Sequence, residues 1–326
     1  MHLAVTSSPH IRDPLSTPRI MVRVLLALLP AAAAAVWQFG PRAAVMMLVG
    51  IFSALLAEGL IALVLPGRFT LSDGSAAVTG LLLAMTLSAA VPYWLCALGA
   101  AFAVVCVKAL FGGLGHNIFN PALTGRAFLL LCFPRYMVHY AAPGETLPLW
   151  GSAADVATAA TPLHHMVMPA LPPESLLDVF LGRIGGSIGE VSALALLLGG
   201  GYLLACRVIS WHIPATYLVT LALGSALLHL TDAPLTWALY NLCSGGALLG
   251  AFFMATDYVT SPVTRRGQLI YGAGCGALTL LFRRTGIYPG GVTYAILLMN
   301  GCAWTLDRLT QPRRFGVPAG KKGETP

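Results

Sequence analysis

Residues 20–39 read IMVRVLLALLPAAAAAVWQF, and residues 43–65 read AAVMMLVGIFSALLAEGLIALVL. A helix needs about 17 to 25 mainly apolar residues to cross a bilayer, and each run meets that length. The only charged side chains in the two runs are Arg23 and Glu58. This stretch therefore predicts two successive membrane helices.

The rest of the chain repeats this pattern. Eight further apolar runs lie at 74–91, 93–111, 121–134, 190–210, 213–231, 235–256, 267–283 and 288–306. The fifth run is short and starts at Asn120 and Pro121, which suit the N-cap and the first helical position. The 326 residues are 57% apolar and 10% charged, whereas soluble domains are about a quarter charged. We expect an all-α polytopic membrane protein with about ten transmembrane helices.

A short internal repeat suggests how these helices are arranged. Residues 80–86 read GLLLAMT and residues 250–256 read GAFFMAT, in the third and eighth runs. Because five spans per half is an odd number, the two halves would be inverted, giving a 5+5 inverted repeat. This architecture places binding sites between the repeats, often at broken helices. Chance remains the alternative, since only seven residues of small and apolar types match.

The basic residues predict the orientation. Of the 19 Lys and Arg residues, 14 fall on the side of the two termini and five on the opposite side, namely Arg42, Arg135, Arg183, Arg283 and Arg284. The positive-inside rule then places both termini in the cytoplasm. We divide the chain into a cytoplasmic tail (1–19), a first five-helix half (20–134), an extracytoplasmic loop (135–189), a second five-helix half (190–306) and a cytoplasmic tail (307–326). The net charge of +7 is scattered over the run ends, which argues against a nucleic-acid partner.

Two carboxylates lie in or beside the apolar runs. A buried Glu58 is costly in a membrane, so it either lies on a cation path or pairs with a basic residue such as Lys108 or Arg126. Asp257 closes the eighth run and is expected at the interface near the arginine pair 265–266.

One glycine-rich segment could carry chemistry. Residues 111–126, FGGLGHNIFNPALTGR, place Asn117 and Asn120 at a membrane edge. The segment is either re-entrant and lines a cavity, or a tight loop that caps a helix. The seven cysteines form no CxxC pair, and the adjacent His164 and His165 have no third ligand at a suitable spacing. The sequence thus predicts no metal site.

The long polar break contains DVATAATPLHH, residues 155–165. Thr161 precedes Pro162, which favours extended backbone and exposes the hydroxyl. An exposed threonine can be esterified by phosphate. By spacing alone, however, an ordinary loop is the default interpretation.

A family resemblance changes that interpretation. It rests on SDGSAAVTGLLLAMTL (72–87), GGLGHNIFNPALTGRAFLL (112–130), RVISWHIPATYL (207–218), MATDYVTSPVTRRGQLIYG (254–272) and YPGGVTYAILLMN (288–300). Together, from about residue 7 to 315, they resemble the D subunit of the Rnf (Rsx) ion-translocating electron-transport complex. The B subunit of the sodium-pumping NADH:quinone reductase is related to it.

The resemblance implies a flavoprotein in the bacterial inner membrane. Its FMN is joined by a phosphoester to a threonine in a segment of the type Asp-x-x-Ser/Thr-Gly-Ala-Thr. Here the pattern falls on Asp155, Thr158 and Thr161, so Thr161 is the implied FMN attachment residue. Ala159 stands where the family has glycine, which could slow attachment if positive φ is needed.

The resemblance also implies a role and partners. Electron transfer from donors of the NADH or ferredoxin type would be coupled to ion movement, with FMN passing electrons between subunits. The partners would be the A, B, C, E and G subunits of the Rnf complex, a flavin transferase that works in the periplasm, and membrane lipids. A second, noncovalent flavin is a further expectation, to which the sequence gives no position. The alternatives are a solute channel or permease of urea-transporter-like architecture and an assembly scaffold that has lost its flavin.

Overall fold

The computed structural model describes residues 16–64, 71–142, 144, 147–150, 161–163, 172–230, 233–286 and 291–312. Within these ranges the chain forms helices joined by turns, without β-strands, which confirms the all-α class. The helices are α1 (Thr17–Phe39), α2 (Pro41–Val64), α3 (Ser75–Thr86), α4 (Tyr93–Phe102, continued by a π-helix over Ala103–Ala109), α5 (Pro121–Cys132), α6 (Pro134–Met137), α7 (Leu176–Leu181), α8 (Ala193–Ala205), α9 (His212–Leu228), α10 (Pro234–Cys243), α11 (Ala247–Leu249, continued by a π-helix over Gly250–Met254), α12 (Arg265–Thr285) and α13 (Val292–Thr310). A 3₁₀ turn, Leu71–Asp73, precedes α3.

The helices coincide with the predicted apolar runs but differ in length. In the described part of the chain, α1 and α2, with 23 and 24 residues, are the two helices long and apolar enough to cross a membrane. The bent pair of α10 and α11 makes a third if it counts as one span. The helices α3, α4, α5, α8 and α9 are apolar but shorter, at 10–17 residues. Length and composition of the helices therefore identify two or three of the ten predicted spans.

The eighth run, 235–256, is not one continuous helix. α10 ends at Cys243, α11 begins at Ala247, and their axes are bent by 64°. Between them, Gly245 and Gly246 have φ angles of +62° and +69°, a region that residues with a Cβ rarely adopt. The two glycines let the chain turn here, so the helix of the eighth run is interrupted.

The third run also differs from the prediction, which extended it to residue 91. α3 stops at Thr86, because Leu87 is extended with φ −91° and ψ 156°. The carbonyl groups of Met85 and Leu87 accept hydrogen bonds from the backbone N–H groups of Gly189 and Ile188, at 2.6 and 2.8 Å. A segment a hundred residues away along the chain thus replaces the next turn of the helix.

The start of α5 agrees with the prediction. The Asn120 side chain accepts a hydrogen bond of 3.2 Å from the backbone N–H of Leu123, and Pro121 is the first helical residue. Asn120 Nδ2 also donates to the carbonyl group of Met254 at 3.1 Å. The cap of α5 is thereby attached to the end of the π-helix in the second half.

Small residues allow the closest helix contacts. A Cβ on Gly80 would lie 2.2 Å from the carbonyl oxygen of Gly50, so α2 and α3 touch backbone to backbone. Within the first half α2 also packs on α4, and within the second half α9 packs on α12. The halves meet where α1 packs on α8 and where α5 packs on α13.

Contacts between helix ends define two ends of this bundle. At the first, which we call the Lys108 end, Lys108 donates to Ser75 Oγ. At the second, the Arg42 end, the Arg42 guanidinium donates to the carbonyl groups of Ala89 and Pro148 at 2.8 and 2.6 Å. Ala89 follows the end of α3 that binds the segment around Gly189, so this segment also belongs to the Arg42 end.

Candidate functional site

Of the predicted flavin-site residues, Thr161 is described, whereas Asp155, Thr158 and Ala159 lie outside the described residues. Thr161 is half-buried, and Pro162 is buried. Among the described residues the Thr161 hydroxyl has no hydrogen-bond partner. Its oxygen is therefore not committed to a structural hydrogen bond there.

The Thr161 segment lies beside the break between α10 and α11. Leu163 is 8% exposed, and a Cβ placed on Gly245 would lie 3.1 Å from its Cδ2 atom. The break and the predicted attachment segment thus form one site, although more than eighty residues separate Leu163 from Gly245 along the chain.

Arg283 of α12 satisfies the carbonyl groups at the end of α10. Its guanidinium donates to the backbone oxygen of Asn241 at 2.5 Å, to that of Ser244 at 2.7 Å and to that of Gly245 at 3.2 Å. The last carbonyl groups of a helix have no partner within the helix. A buried arginine at this point both satisfies them and complements the negative end of the helix dipole.

The side chain of Glu190 lies against the start of α11. A Cβ on Gly246 would lie 2.4 Å from Glu190 Oε1, so the carboxylate lies against the first turn, where a helix favours negative charge. The same oxygen accepts a hydrogen bond of 3.1 Å from Arg126 Nη1 of α5. Both ends of the break therefore face an opposite charge, Arg283 at the end of α10 and Glu190 at the start of α11.

At the Lys108 end, a second ion pair is buried. Lys108 Nζ contacts Glu58 Oε1 and Ser75 Oγ, and both charged side chains are almost fully buried. Ser75 Oγ donates to Asp73 Oδ1 at 2.6 Å. Of the two partners considered for Glu58, Lys108 is confirmed, while Arg126 pairs with Glu190 instead.

A cavity of about 90 Å³ lies next to this ion pair, between the two halves. Its polar lining includes Lys108, Asn117, Asn120, Thr256 and Asp257. Asn117 is 7% exposed, and its Oδ1 atom has no hydrogen-bond partner in the described part of the chain. The glycine-rich segment thus forms turns that cap α5, and its two asparagines line the cavity.

Asp257 faces this cavity. Its carboxylate accepts hydrogen bonds from the backbone N–H of Val259, at 3.5 Å, and the Thr260 hydroxyl, at 3.2 Å. Burial raises the pKa of Asp257, and these two hydrogen bonds oppose the rise. Asp257 thus lies in the turn after the π-helix, where its carboxylate lines the cavity.

Comparison of the sequence with known proteins identifies the family. The sequence pattern of the NQR2, RnfD, RnfE family matches residues 4–316. The chain belongs to this family. It is 45% identical to the D subunit of the Na⁺-translocating ferredoxin:NAD⁺ oxidoreductase complex of Acetobacterium woodii, over 99% of this chain and 98% of the relative. It is 40% identical to the proton-translocating counterpart of Clostridium ljungdahlii, over 96% of each chain. It is 42% identical to the D subunit of the ion-translocating oxidoreductase complex of Stutzerimonas stutzeri, over 94% of each chain.

In this member of the NQR2, RnfD, RnfE family, sequence reasoning found one residue of the break site, Thr161, and missed the charged residues around it. Glu190 and Arg283 lie close to the ends of apolar runs, where they resemble ordinary flanking charges. The paired glycines of CSGG, residues 243–246, were the available signal for the break. Two adjacent glycines inside an apolar run mark a weak point in a helix.

Proposed function

We propose that this chain is the FMN-carrying membrane subunit of a complex that couples electron transfer to ion translocation. The family and the names of the relatives support the general assignment as a subunit of an ion-translocating oxidoreductase. Its partners would be the A, B, C, E and G subunits of the Rnf complex, a flavin transferase and membrane lipids.

The membrane arrangement is part of this proposal. We assign the ten helical segments to ten spans in a 5+5 inverted repeat, with α10 and α11 as one broken span. The pairing of α1 with α8 and of α5 with α13, the first and last helices of each half, supports this assignment. Exposed aromatic rings also lie at both ends, with Trp94 and Trp150 at the Arg42 end and Trp211 and Tyr258 at the Lys108 end. Such rings are typical of membrane–water interfaces.

Burial sharpens the argument for orientation. Arg42, Lys108, Arg126 and Arg283 are buried in the protein, so they do not act as flanking loop charges. Lys108 and Arg126 belong to the side of the termini, and Arg42 and Arg283 to the opposite side. Without these four residues, twelve basic residues remain on the side of the termini and three on the other. We therefore assign the Lys108 end to the cytoplasm and the Arg42 end, with Thr161, to the periplasm of a bacterial inner membrane.

Thr161 is the proposed FMN attachment residue. Three features support this role: its half-buried position, its hydroxyl without a hydrogen-bond partner among the described residues, and its place at the Arg42 end. Asp155 and Thr158 would complete the motif that a transferase recognises. FMN supplies the electron transfer, while the protein fixes its position and surroundings. A second, noncovalent flavin also remains a proposal, without an assigned position.

The cavity at the opposite end is the proposed region of ion coupling. It combines amide, hydroxyl and carboxylate oxygens with the Lys108–Glu58 pair, and ionisable groups inside membrane spans commonly mark ion pathways. The broken span connects the two regions, since its break at Gly245 lies beside the Thr161 segment and its second part ends at Met254, next to Thr256 and Asp257.

In-gel ultraviolet fluorescence of the denatured polypeptide tests the flavin assignment. The protein is produced in a host that contains the flavin transferase. A fluorescent band is expected, because a phosphoester-linked flavin survives denaturation. A dark band would favour the solute channel of urea-transporter-like architecture or the scaffold without flavin.

A further inference from the structure

Leu163 is buried in an unusual place. It is 8% exposed, yet neither buried apolar cluster of the described chain includes it. Its described neighbour is the turn between α10 and α11, where a Cβ on Gly245 would lie 3.1 and 3.6 Å from Leu163 Cδ2 and Cδ1. Among the described residues, the Leu163 side chain thus packs on the break and not in the helix core.

The surface that receives Leu163 is firmly held. The guanidinium of Arg283 binds the carbonyl groups of Ser244 and Gly245, and its Nη2 atom would lie 3.0 Å from the same Cβ. Gly245 also needs its φ of +62°, which a residue with a Cβ adopts only under strain. We call this surface of the turn, formed by Gly245 and held by Arg283, the seat of Leu163.

The link between Leu163 and Thr161 is short and stiff. Two residues of extended chain span at most about 7 Å. The intervening Pro162 has its φ fixed near −65° by its ring, which removes freedom from the link. The position of the Leu163 side chain therefore restricts the position of Thr161.

We infer that Leu163 is a positioning residue, whose side chain anchors the Thr161 segment in the turn between α10 and α11. The identity of the group that Thr161 carries rests on the proposed function, whereas the anchoring does not. With FMN attached, the anchor holds the flavin beside the broken span. Without the anchor, the attachment stays possible but the flavin has no fixed place.

The anchoring is tested without flavin. A nitroxide is attached to Thr161→Cys in the full-length protein, in a background without native cysteines. Leu163→Ala should narrow its continuous-wave EPR spectrum, because the label gains mobility, and Leu163→Met should restore most of the broad spectrum. The control is Leu147→Ala, since Leu147 is 5% exposed and belongs to the main core; it should leave the spectrum unchanged. An equally broad spectrum in Leu163→Ala would overturn the inference.

A second variant tests the contact from the side of the turn. Gly245→Ala places a methyl group against Leu163 and should also mobilise the label, although Leu163 itself is intact. An immobile label in Gly245→Ala would show that the turn at Gly245 does not hold Leu163 in place.

The flavin-loaded complex gives an independent readout. Leu163→Ala should keep its fluorescent band in a denaturing gel, while kcat for electron transfer falls several-fold and KM for the electron donor stays the same. An unchanged kcat would contradict the positioning role. A wild-type protein without covalent flavin would instead contradict the proposed function, and the nitroxide result would still decide the anchor.

Discussion

Arg126 of α5 and Glu190 form an ion pair of 3.1 Å between residues 64 positions apart along the chain. Glu190 also lies against Gly246, at the start of α11. The pair thus joins α5 of the first half to the broken helix of the second half, beside the segment that carries Thr161. Both side chains are largely buried, so neither charge is well hydrated when its partner is removed.

Removing Glu190 alone should destabilise the protein. Glu190→Ala leaves the Arg126 charge buried and unpaired, and breaking such a pair typically costs about 3–5 kcal/mol. We expect a clear decrease in the apparent Tm of the detergent-solubilised protein. The double variant Arg126→Met with Glu190→Leu should recover much of the loss, because replacing both charges leaves none unpaired. Equal Tm values for Glu190→Ala and the wild type would show that the pair does not stabilise the fold.

Thr161→Ala should abolish covalent flavin. The in-gel fluorescence should disappear, and the peptide that contains residue 161 should lack the FMN mass. The protein should still insert, since a half-buried loop side chain contributes little to packing. Thr158→Ala is the matched control, a hydroxyl three residues away that should leave at least some covalent flavin. Fluorescence that follows Thr158 would mean that the motif is wrongly aligned.

Ala159→Gly should raise the flavin-loaded fraction if loading of the wild type is incomplete. The family pattern has glycine here, and alanine at positive φ costs about 1 kcal/mol or more. The measurement is the ratio of flavin fluorescence to protein in a denaturing gel. A wild-type protein that is already fully loaded would show that the local backbone accepts alanine.

Glu58→Gln should affect ion coupling more than flavin content. The substitution removes the charge that faces Lys108 but keeps the side-chain size, so covalent flavin on the distant Thr161 should remain. Ion transport per electron in the reconstituted complex should decrease. Unchanged coupling would leave Glu58 as a structural partner of Lys108 only.

The orientation is tested by labelling intact cells. In a background without native cysteines, Ala153→Cys should react with an impermeant maleimide added outside, once the outer membrane is permeabilised. Pro318→Cys should react only after the cells are lysed. The reverse pattern of labelling would overturn the assignment of the Arg42 end to the periplasm.

Local sequence determined the positions of the helices and one of their caps. Ten apolar runs coincide with helical segments, because the burial of apolar side chains and the helix period act over a few turns. The start of α5 at Asn120 and Pro121 was equally predictable, since an N-cap bonds to a residue three positions away. The pairing of Glu58 with Lys108 was one of two charge-based options, and only the packing of α2 against α4 selected it.

Tertiary structure decided where the site lies. The end of α3, the break at Gly245 and Gly246 and the seat of Leu163 all depend on residues far away along the chain. The sequence named Thr161 through its family motif, but it could not show that Leu163 meets Gly245 or that Arg126 meets Glu190. Such contacts arise only when helices from both halves pack together. A side chain reaches only a few ångströms, and the local sequence does not specify which distant segment will lie within that reach.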